Sequence, residues 1–206
     1  MRPLVSCPVI MRKKALTVTI GGGTLRGRVL RYPEGPGLRP SMQRTKASLF
    51  SSLVRALEGA TFVDLFAGAG AVGIEAFSRG ARFVHFVERD RAALAALRAN
   101  LAACRIDAER SCVHGESVAR ILDARPCPIA DATIVFADPP YDADLDRELM
   151  QHVSLEALPH LEWLVVERQT RAAVAAPPGS RLERERRFGE TTVSYFVPDE
   201  ERKHGG

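Results

Sequence analysis

The sequence predicts an α/β domain, a mostly parallel sheet with helices on both faces, preceded by a small N-terminal β-hairpin. Two observations carry that class. From Thr61 onward, short apolar runs alternate with segments of helical period. The first of those runs leads into a glycine-rich turn, as a strand does when it hands over to a helix beneath a ligand. The chain's 206 residues and 46% hydrophobic content suffice for one domain with a full core.

The elements follow in chain order. Leu16 to Arg31 alternates and contains Gly21-Gly22-Gly23 and Gly27, which suits a bent hairpin. Arg31 to Pro40 reads as a loop, with Pro33, Gly35, Pro36, Gly37 and Pro40. Ser41 can cap a helix of about Met42 to Leu57, with Ala47, Phe50, Leu53, Val54 and Leu57 expected on one face. A strand is expected over Thr61 to Phe66 and a helix over about Ala71 to Arg79. Arg82 to Glu88 is the second strand of the alternating part. Asp90 caps a helix on which Leu94, Leu97 and Leu101 align. A third strand falls near Arg110 to His114, with a short helix from about Ser117. A fourth covers Thr133 to Ala137, a helix spans Asp144 to Val153, and a fifth strand covers Trp163 to Glu167. Arg181 to Phe188 and Thr191 to Val197 form an antiparallel hairpin turned at Gly189-Glu190. The resulting division is an extension without fixed structure over 1–14, a hairpin-and-helix segment over 15–58, the alternating domain over 59–198 and a tail from Asp199.

Bulk properties exclude several classes. No apolar run reaches the length of a membrane span. Met1 to Ile10 is short and carries Pro3 and Pro8, so it is not read as a signal peptide, and Met11 is an alternative start. Cys7, Cys104, Cys112 and Cys127 form no C-x-x-C pair and read as reduced thiols of a cytoplasmic protein. The five histidines are scattered along the chain, so no metal site is expected. Nothing suggests an oligomer seam, and a monomer is expected. Charge is uneven. Residues 1–60 hold 11 Lys+Arg against 2 Asp+Glu, a net of +9, so the remainder of a +4 chain carries −5. A basic end on an otherwise acidic domain points to a polyanion-binding face, with Arg26, Arg28, Arg39, Arg44 and Lys46 as candidate contacts.

Two motifs carry the chemistry. Asp138-Pro139-Pro140-Tyr141 stands at the end of the apolar run Asp131 to Ala137. A carboxylate and a proline carbonyl there can accept the two N–H bonds of an exocyclic base amine, and the ring of Tyr141 can stack on the base. Pro139 and Pro140 stiffen the turn and remove competing donors. Upstream, Val63-Asp-Leu-Phe-Ala-Gly-Ala-Gly-Ala-Val-Gly73 holds Gly68, Gly70 and Gly73 as a literal G-x-G-x-x-G. That pattern also serves dinucleotide dehydrogenases. Asp64, four residues before the first glycine, favours S-adenosylmethionine (SAM) because it can face the cationic methionine end. The Asp-Pro-Pro-Tyr turn favours it too, since a dehydrogenase has no use for one.

Ligands of open parallel sheets sit at the carboxyl ends of the strands. That rule gathers Asp64, Phe66, Gly68, Gly70, Glu88, Glu116 and Asp138 along one edge. Glu88 can accept from ribose hydroxyls or serve only as a helix-start acid. Arg89 can cover the adenine or face solvent. Glu116 and Ser117 can read the adenine amine, or Glu116 can take a capping role.

These residues resemble the bacterial 16S rRNA guanine-N2 methyltransferases that modify guanine 966 of the small subunit. The resemblance lies in Ile20 to Arg28, Leu38 to Phe50, Asp64 to Gly80, Asp138 to Tyr141 and the closing Phe188-Gly-Glu-Thr-Thr192 stretch. It implies a Rossmann-like, seven-stranded SAM-dependent methyltransferase fold with an N-terminal hairpin that grips RNA. It further implies rRNA within a partly assembled small subunit as substrate. The chain departs from the family at Gln43 and Ala47, where an acid is usual, and at Glu116, where Asp or Asn is common.

By this resemblance, Asp138 and the Pro139 carbonyl accept the two hydrogens of the guanine N2 amine, and transfer is a direct in-line displacement. Two rivals stand beside it. Adenine-N6 methylation on RNA or DNA would use the same turn, although the chain lacks a separate target-recognition domain. A non-catalytic RNA-binding assembly factor would bind RNA without turnover.

Overall fold

The computed structural model describes residues 16–32, 42–140, 149–171 and 175–199. Two short strands, β1 (Thr17–Thr19) and β2 (Val29–Arg31), pair antiparallel at the N-terminus. Helix α1 (Met42–Leu53) precedes the alternating part. That part runs β3 (Thr61–Leu65), α2 (Ala71–Ser78), β4 (Phe83–Val87), α3 (Arg91–Cys104), β5 (Ser111–His114), α4 (Val118–Asp123), β6 (Ile134–Ala137) and β7 (Trp163–Gln169). It closes with β8 (Ser180–Phe188) and β9 (Thr191–Pro198).

One seven-stranded sheet has the order β5-β4-β3-β6-β7-β9-β8. Strands β3 to β7 are parallel, and β8 and β9 form the antiparallel end. From β3 the chain first builds outward through β4 and β5, then returns to lay β6 on the other side. The switch point therefore lies between β3 and β6, where a ligand crevice is expected. The parallel strands are buried on both faces, which explains their near-continuous apolar runs. One core layer joins Phe62, Phe86, Phe136 and Tyr195 to α1, α2 and α3. The other joins Val63, Leu65, Val135 and Val166 to α4 and the 149–161 segment.

The hairpin shares the first core layer, since Val18, Ile20 and Leu30 are buried in it. Its glycines allow the approach. The N–H of Thr24 donates to the Ser78 carbonyl at 2.8 Å, and the N–H of Leu25 to the Ser78 hydroxyl at 2.8 Å. At Gly23 (φ +79°) a Cβ would lie 1.8 Å from that same carbonyl oxygen. The Asn100 side chain fixes the other end. It accepts from the N–H of Arg31 and donates to the carbonyls of Arg31 and Ala69.

Several boundaries shift. Helix α1 ends at Leu53, and its buried face runs through Lys46, Leu49, Phe50 and Leu53. Ala47 is exposed and so is Val54, so these two do not lie on the core face as expected. Phe50, Leu53 and Leu57 are buried as expected, while Val54 falls past the helix end and Lys46 takes a buried place to meet an acid partner. Residues 149–152 are helical, and the rest of the expected 144–153 helix lies outside the described residues. Asp199 donates its N–H to the Gly179 carbonyl, and the rest of the expected tail lies outside the described residues.

Candidate active site

The β3–α2 turn is built by backbone conformation. Phe66 (φ 64°), Gly68 (φ 55°) and Gly70 (φ 85°) all lie in the left-handed region. For a bulky residue such as Phe66 that conformation costs on the order of 1–3 kcal/mol, a cost found mostly at functional sites. The three glycines do different work. Around Gly68 there is open space, so its role is backbone conformation and close ligand approach. A Cβ on Gly70 would meet Leu97 at 2.5 Å, and one on Gly73 would meet Phe86 at 2.3 Å. Gly73 therefore seats α2 on the sheet.

Two adjoining cavities open at the switch point. The larger, about 550 Å³, is lined by Phe66, Glu88, Arg89, Glu116, Ser117, Asp138, Pro140, Leu149 and His152 among others. The smaller, about 150 Å³, is lined by Tyr32, Lys46, Asp64, Phe66, Gly68, Asp138 and Glu167 among others. Phe66 and Asp138 border both. This volume lies in the range of small-molecule sites. The two spaces thus meet at the side chains of Phe66 and Asp138.

The smaller cavity is acidic. Asp64 is buried, and its carboxylate accepts from the N–H of Gly73 at 2.8 Å. Burial first, then the charges of Asp138 and Glu88, push its pKa up to about 7 against the lowering effect of that bond. Tyr32 is pushed up by burial and by the charges of Asp64 and Asp138. Glu167 sits one residue past the β6–β7 register that pairs Ala137 with Val166, beside Asp138. Three carboxylates around one small space favour a cation there.

In the larger cleft, Glu88 is held by three backbone donors. Gly68 N–H reaches one carboxylate oxygen at 2.8 Å, while Arg89 and Asp90 N–H reach the other at 2.8 and 2.7 Å. A carboxylate accepts about four such bonds, so capacity for a ligand hydroxyl remains. Asp90 caps α3 by accepting from Ala93 N–H. Ser117 caps α4 by accepting from Arg120 N–H, so the cap is Ser117 and not Glu116. Glu116 is half-buried and lies 3.5 Å from Arg120. Arg89 is exposed at the cleft rim.

The structure brings together Asp64, Phe66, Gly68, Glu88, Arg89, Glu116, Ser117, Asp138 and Pro140 along the cavities, while Gly70 and Pro139 flank them. Tyr141 and Arg39 lie outside the described residues. Of the expected polyanion contacts, Arg26, Arg28 and Arg44 are exposed. Lys46 corrects the expectation. It is 3% exposed, its ammonium is 2.8 Å from Glu75, and it donates to the Thr19 carbonyl. A buried lysine needs such a partner, and Glu75 also binds Gly21 N–H and Arg79. Lys46 thus ties the hairpin to α2 at the wall of the small cavity, with its charge paired to Glu75 instead of facing solvent.

Sequence reasoning missed Tyr32, Glu167 and His152. Glu167 did carry a signal, an acid at the end of an otherwise apolar strand. The histidines also need correction. Although scattered in sequence, His85 and His114 meet in space with Cys112 on β4 and β5.

The family described as Conserved hypothetical protein 95 matches residues 18–197. The Ribosomal RNA small subunit methyltransferase D of Escherichia coli K12 is 38% identical over 131 residues, 64% of this chain and 64% of that protein. The protein of the same name from Haemophilus influenzae is 34% identical over 131 residues, 64% of this chain and 67% of that one. The matched stretch of the Escherichia coli relative is therefore just under two thirds of its length. A solved Escherichia coli structure, yhhF, assigned as a methyltransferase, superposes with a TM-score of 0.75 at 30% identity, covering 89% of this chain and 98% of that one. Among the described residues, no helix is long and apolar enough to cross a membrane.

Proposed function

Because this chain belongs to the family described as Conserved hypothetical protein 95, and its cavities join at Asp138, we propose that it is a SAM-dependent rRNA methyltransferase. We assign it the exocyclic N2 amine of a guanine in 16S small-subunit rRNA. The observation that carries the reading is the shared wall. Phe66 and Asp138 border both the large cleft and the small acidic cavity. The relatives' names supply the rRNA, and the resemblance of the Asp138 turn and the N-terminal segment supplies the base and amine.

The residues present fit SAM. Glu88, held by three backbone N–H groups, accepts a ribose hydroxyl. Phe66, Leu149 and Val118 offer apolar walls to the adenosine half. Asp64 and Glu167 set a negative potential in the small cavity, suited to the cationic methionine end. When bound, SAM supplies a methyl group on a positively charged sulfur.

The chain's own residues then position the acceptor. Asp138 and the Pro139 carbonyl accept the two N–H bonds of the amine, turning its lone pair toward the methyl donor. As the N–C bond forms, one proton leaves the nitrogen, and the carboxylate that already accepts it is placed to receive it. Tyr141 stacks on the flipped base. Arg26, Arg28, Arg39 and Arg44 hold the phosphate backbone. The substrate is rRNA in a partly assembled particle, and the enzyme acts as a cytoplasmic monomer.

The test is methyl transfer from radiolabelled SAM to unmethylated small-subunit particles, naked 16S rRNA and duplex DNA, followed by nucleoside analysis. Label in N2-methylguanosine is expected. Label in N6-methyladenine would replace the substrate, and absence of turnover with RNA bound would favour an assembly factor. Asp138→Ala is expected to lose on the order of 10²–10³-fold in rate with SAM affinity retained. A near-normal rate would overturn the assignment of Asp138.

A further inference from the structure

We propose that His85, Cys112 and His114 form a binding site for a thiophilic divalent cation of the zinc class, at the β5 edge of the sheet. Strand geometry builds it. His85 on β4 is the direct parallel partner of Cys112 on β5. His114 is two residues beyond Cys112, so the strand period returns its side chain to the same face. One donor atom from each of the three lies within 4.8 Å of the others. His85 Nδ1 is 3.0 Å from His114 Nε2.

These distances are close to a tetrahedral shell. Zn–N bonds of about 2.05 Å and a Zn–S bond of about 2.3 Å place two nitrogens about 3.3 Å apart and nitrogen and sulfur about 3.6 Å apart. The histidine nitrogens are within a few tenths of an ångström of that spacing, and the thiol, within 4.8 Å of both, has at most about 1.2 Å to close. Two imidazoles and one thiolate suit a borderline-soft ion better than calcium or magnesium. Three protein ligands leave the fourth position to water.

A second, independent feature supports the site. His85 Nε2 lies 3.1 Å from Asp131 Oδ1, and the hydroxyl of Thr61 reaches the other Asp131 oxygen at 3.4 Å. A carboxylate behind a histidine holds the proton on Nε2 and turns the Nδ1 lone pair outward, the arrangement that orients metal-binding imidazoles. His85 is buried, while Cys112 and His114 are half-buried on an edge strand, which leaves a path for an ion. The site is apart from the cleft, and β5 leads from it through Gly115 to Glu116 and Ser117. An ion bridging β4 and β5 would therefore fix the start of that rim.

The full chain, stripped with chelator, is titrated with Zn²⁺ by calorimetry and then with Co²⁺ as an optical probe. One equivalent of Zn²⁺ is expected, with a thiolate-to-cobalt charge-transfer band and a rise in melting temperature on Zn²⁺ addition. Cys112→Ser is expected to abolish the band and weaken Zn²⁺ binding at least 100-fold, while Cys7→Ser leaves both unchanged. His114→Asn gives an independent reading if Cys112→Ser does not fold. Asp131→Asn is expected to weaken binding about 10–100-fold. No stoichiometric Zn²⁺, or Zn²⁺ and the cobalt band retained in Cys112→Ser or His114→Asn, would overturn the proposal. The trio would then be only the Asp131–His85–His114 hydrogen-bond chain.

Discussion

Asp64→Asn separates the stability of the acidic cavity from its use. In the folded chain the Asp64 carboxyl is raised from 3.8 to about 7. Between those values the folded state holds a proton that the unfolded state has released. Stability from this group is therefore fully present below about pH 3.8 and is lost as pH rises to about 7. The difference of about 3 pH units corresponds to about 4 kcal/mol by pH 8. Asparagine keeps an oxygen to accept from Gly73 N–H and cannot ionise. The variant is thus expected to melt higher than the wild type at pH 8, by about 8–16 °C for a chain of this size. At pH 4.5 the gap should shrink to about 1 kcal/mol, roughly 2–4 °C.

Thermal melts of both proteins every half unit from pH 4.5 to 8.5 measure this, and calorimetry with SAM supplies the other half. If the ionised Asp64 faces the cationic end, wild-type affinity rises about tenfold between pH 6 and pH 8, as the ionised fraction grows through a pKa of about 7. The variant should bind weakly with no such rise. Parallel melting curves across the range would refute the burial argument. Equal SAM affinity in both proteins would refute the cofactor role while leaving the stability argument standing.

Three further outcomes follow from the geometry. Arg26→Ala, Arg28→Ala and Arg44→Ala together should weaken rRNA binding and reduce the slope of log affinity against log salt by roughly 2, read by filter binding across a salt series; an unchanged slope would move the RNA face elsewhere. Gly23→Ala forces a Cβ to 1.8 Å from the Ser78 carbonyl at positive φ and should cost about 2–5 kcal/mol in denaturant unfolding. Lys46→Ala leaves buried Glu75 with Arg79 as its remaining cationic partner and should cost about 3 kcal/mol, whereas the Lys46→Met, Glu75→Gln pair should recover much of it.

The sheet was legible because its signals are local. Asp90 and Ser117 cap the helices they were expected to start, and the β8–β9 turn falls at Gly189-Glu190. Leu94, Leu97 and Leu101 are buried together, as period 3.6 requires. What failed to show in sequence was long-range. Lys46 read as one more basic residue because nothing nearby reveals that Glu75, 29 positions later, meets it inside the core. Val54 was misplaced because α1 ends at Leu53, one residue short of it. Tyr32 lines the small cavity beside a strand that Asn100, about 70 positions away in sequence, holds to the glycine turn.

The same clamps suggest why the hairpin and the cofactor turn belong to one unit. Glu75 lies on α2, the helix that the glycine turn launches, and it holds both Gly21 and Lys46. Asn100 joins Arg31 to Ala69 inside that turn. Under the proposed RNA-binding role, a strain on Arg26 or Arg28 would be passed to Ala69 within the Phe66–Gly73 segment and to Glu75 just beyond it. That segment carries the left-handed Phe66, whose side chain walls both cavities. Loosening either clamp should disturb SAM affinity as well as RNA affinity, a coupling that a hairpin attached only by a flexible linker could not produce.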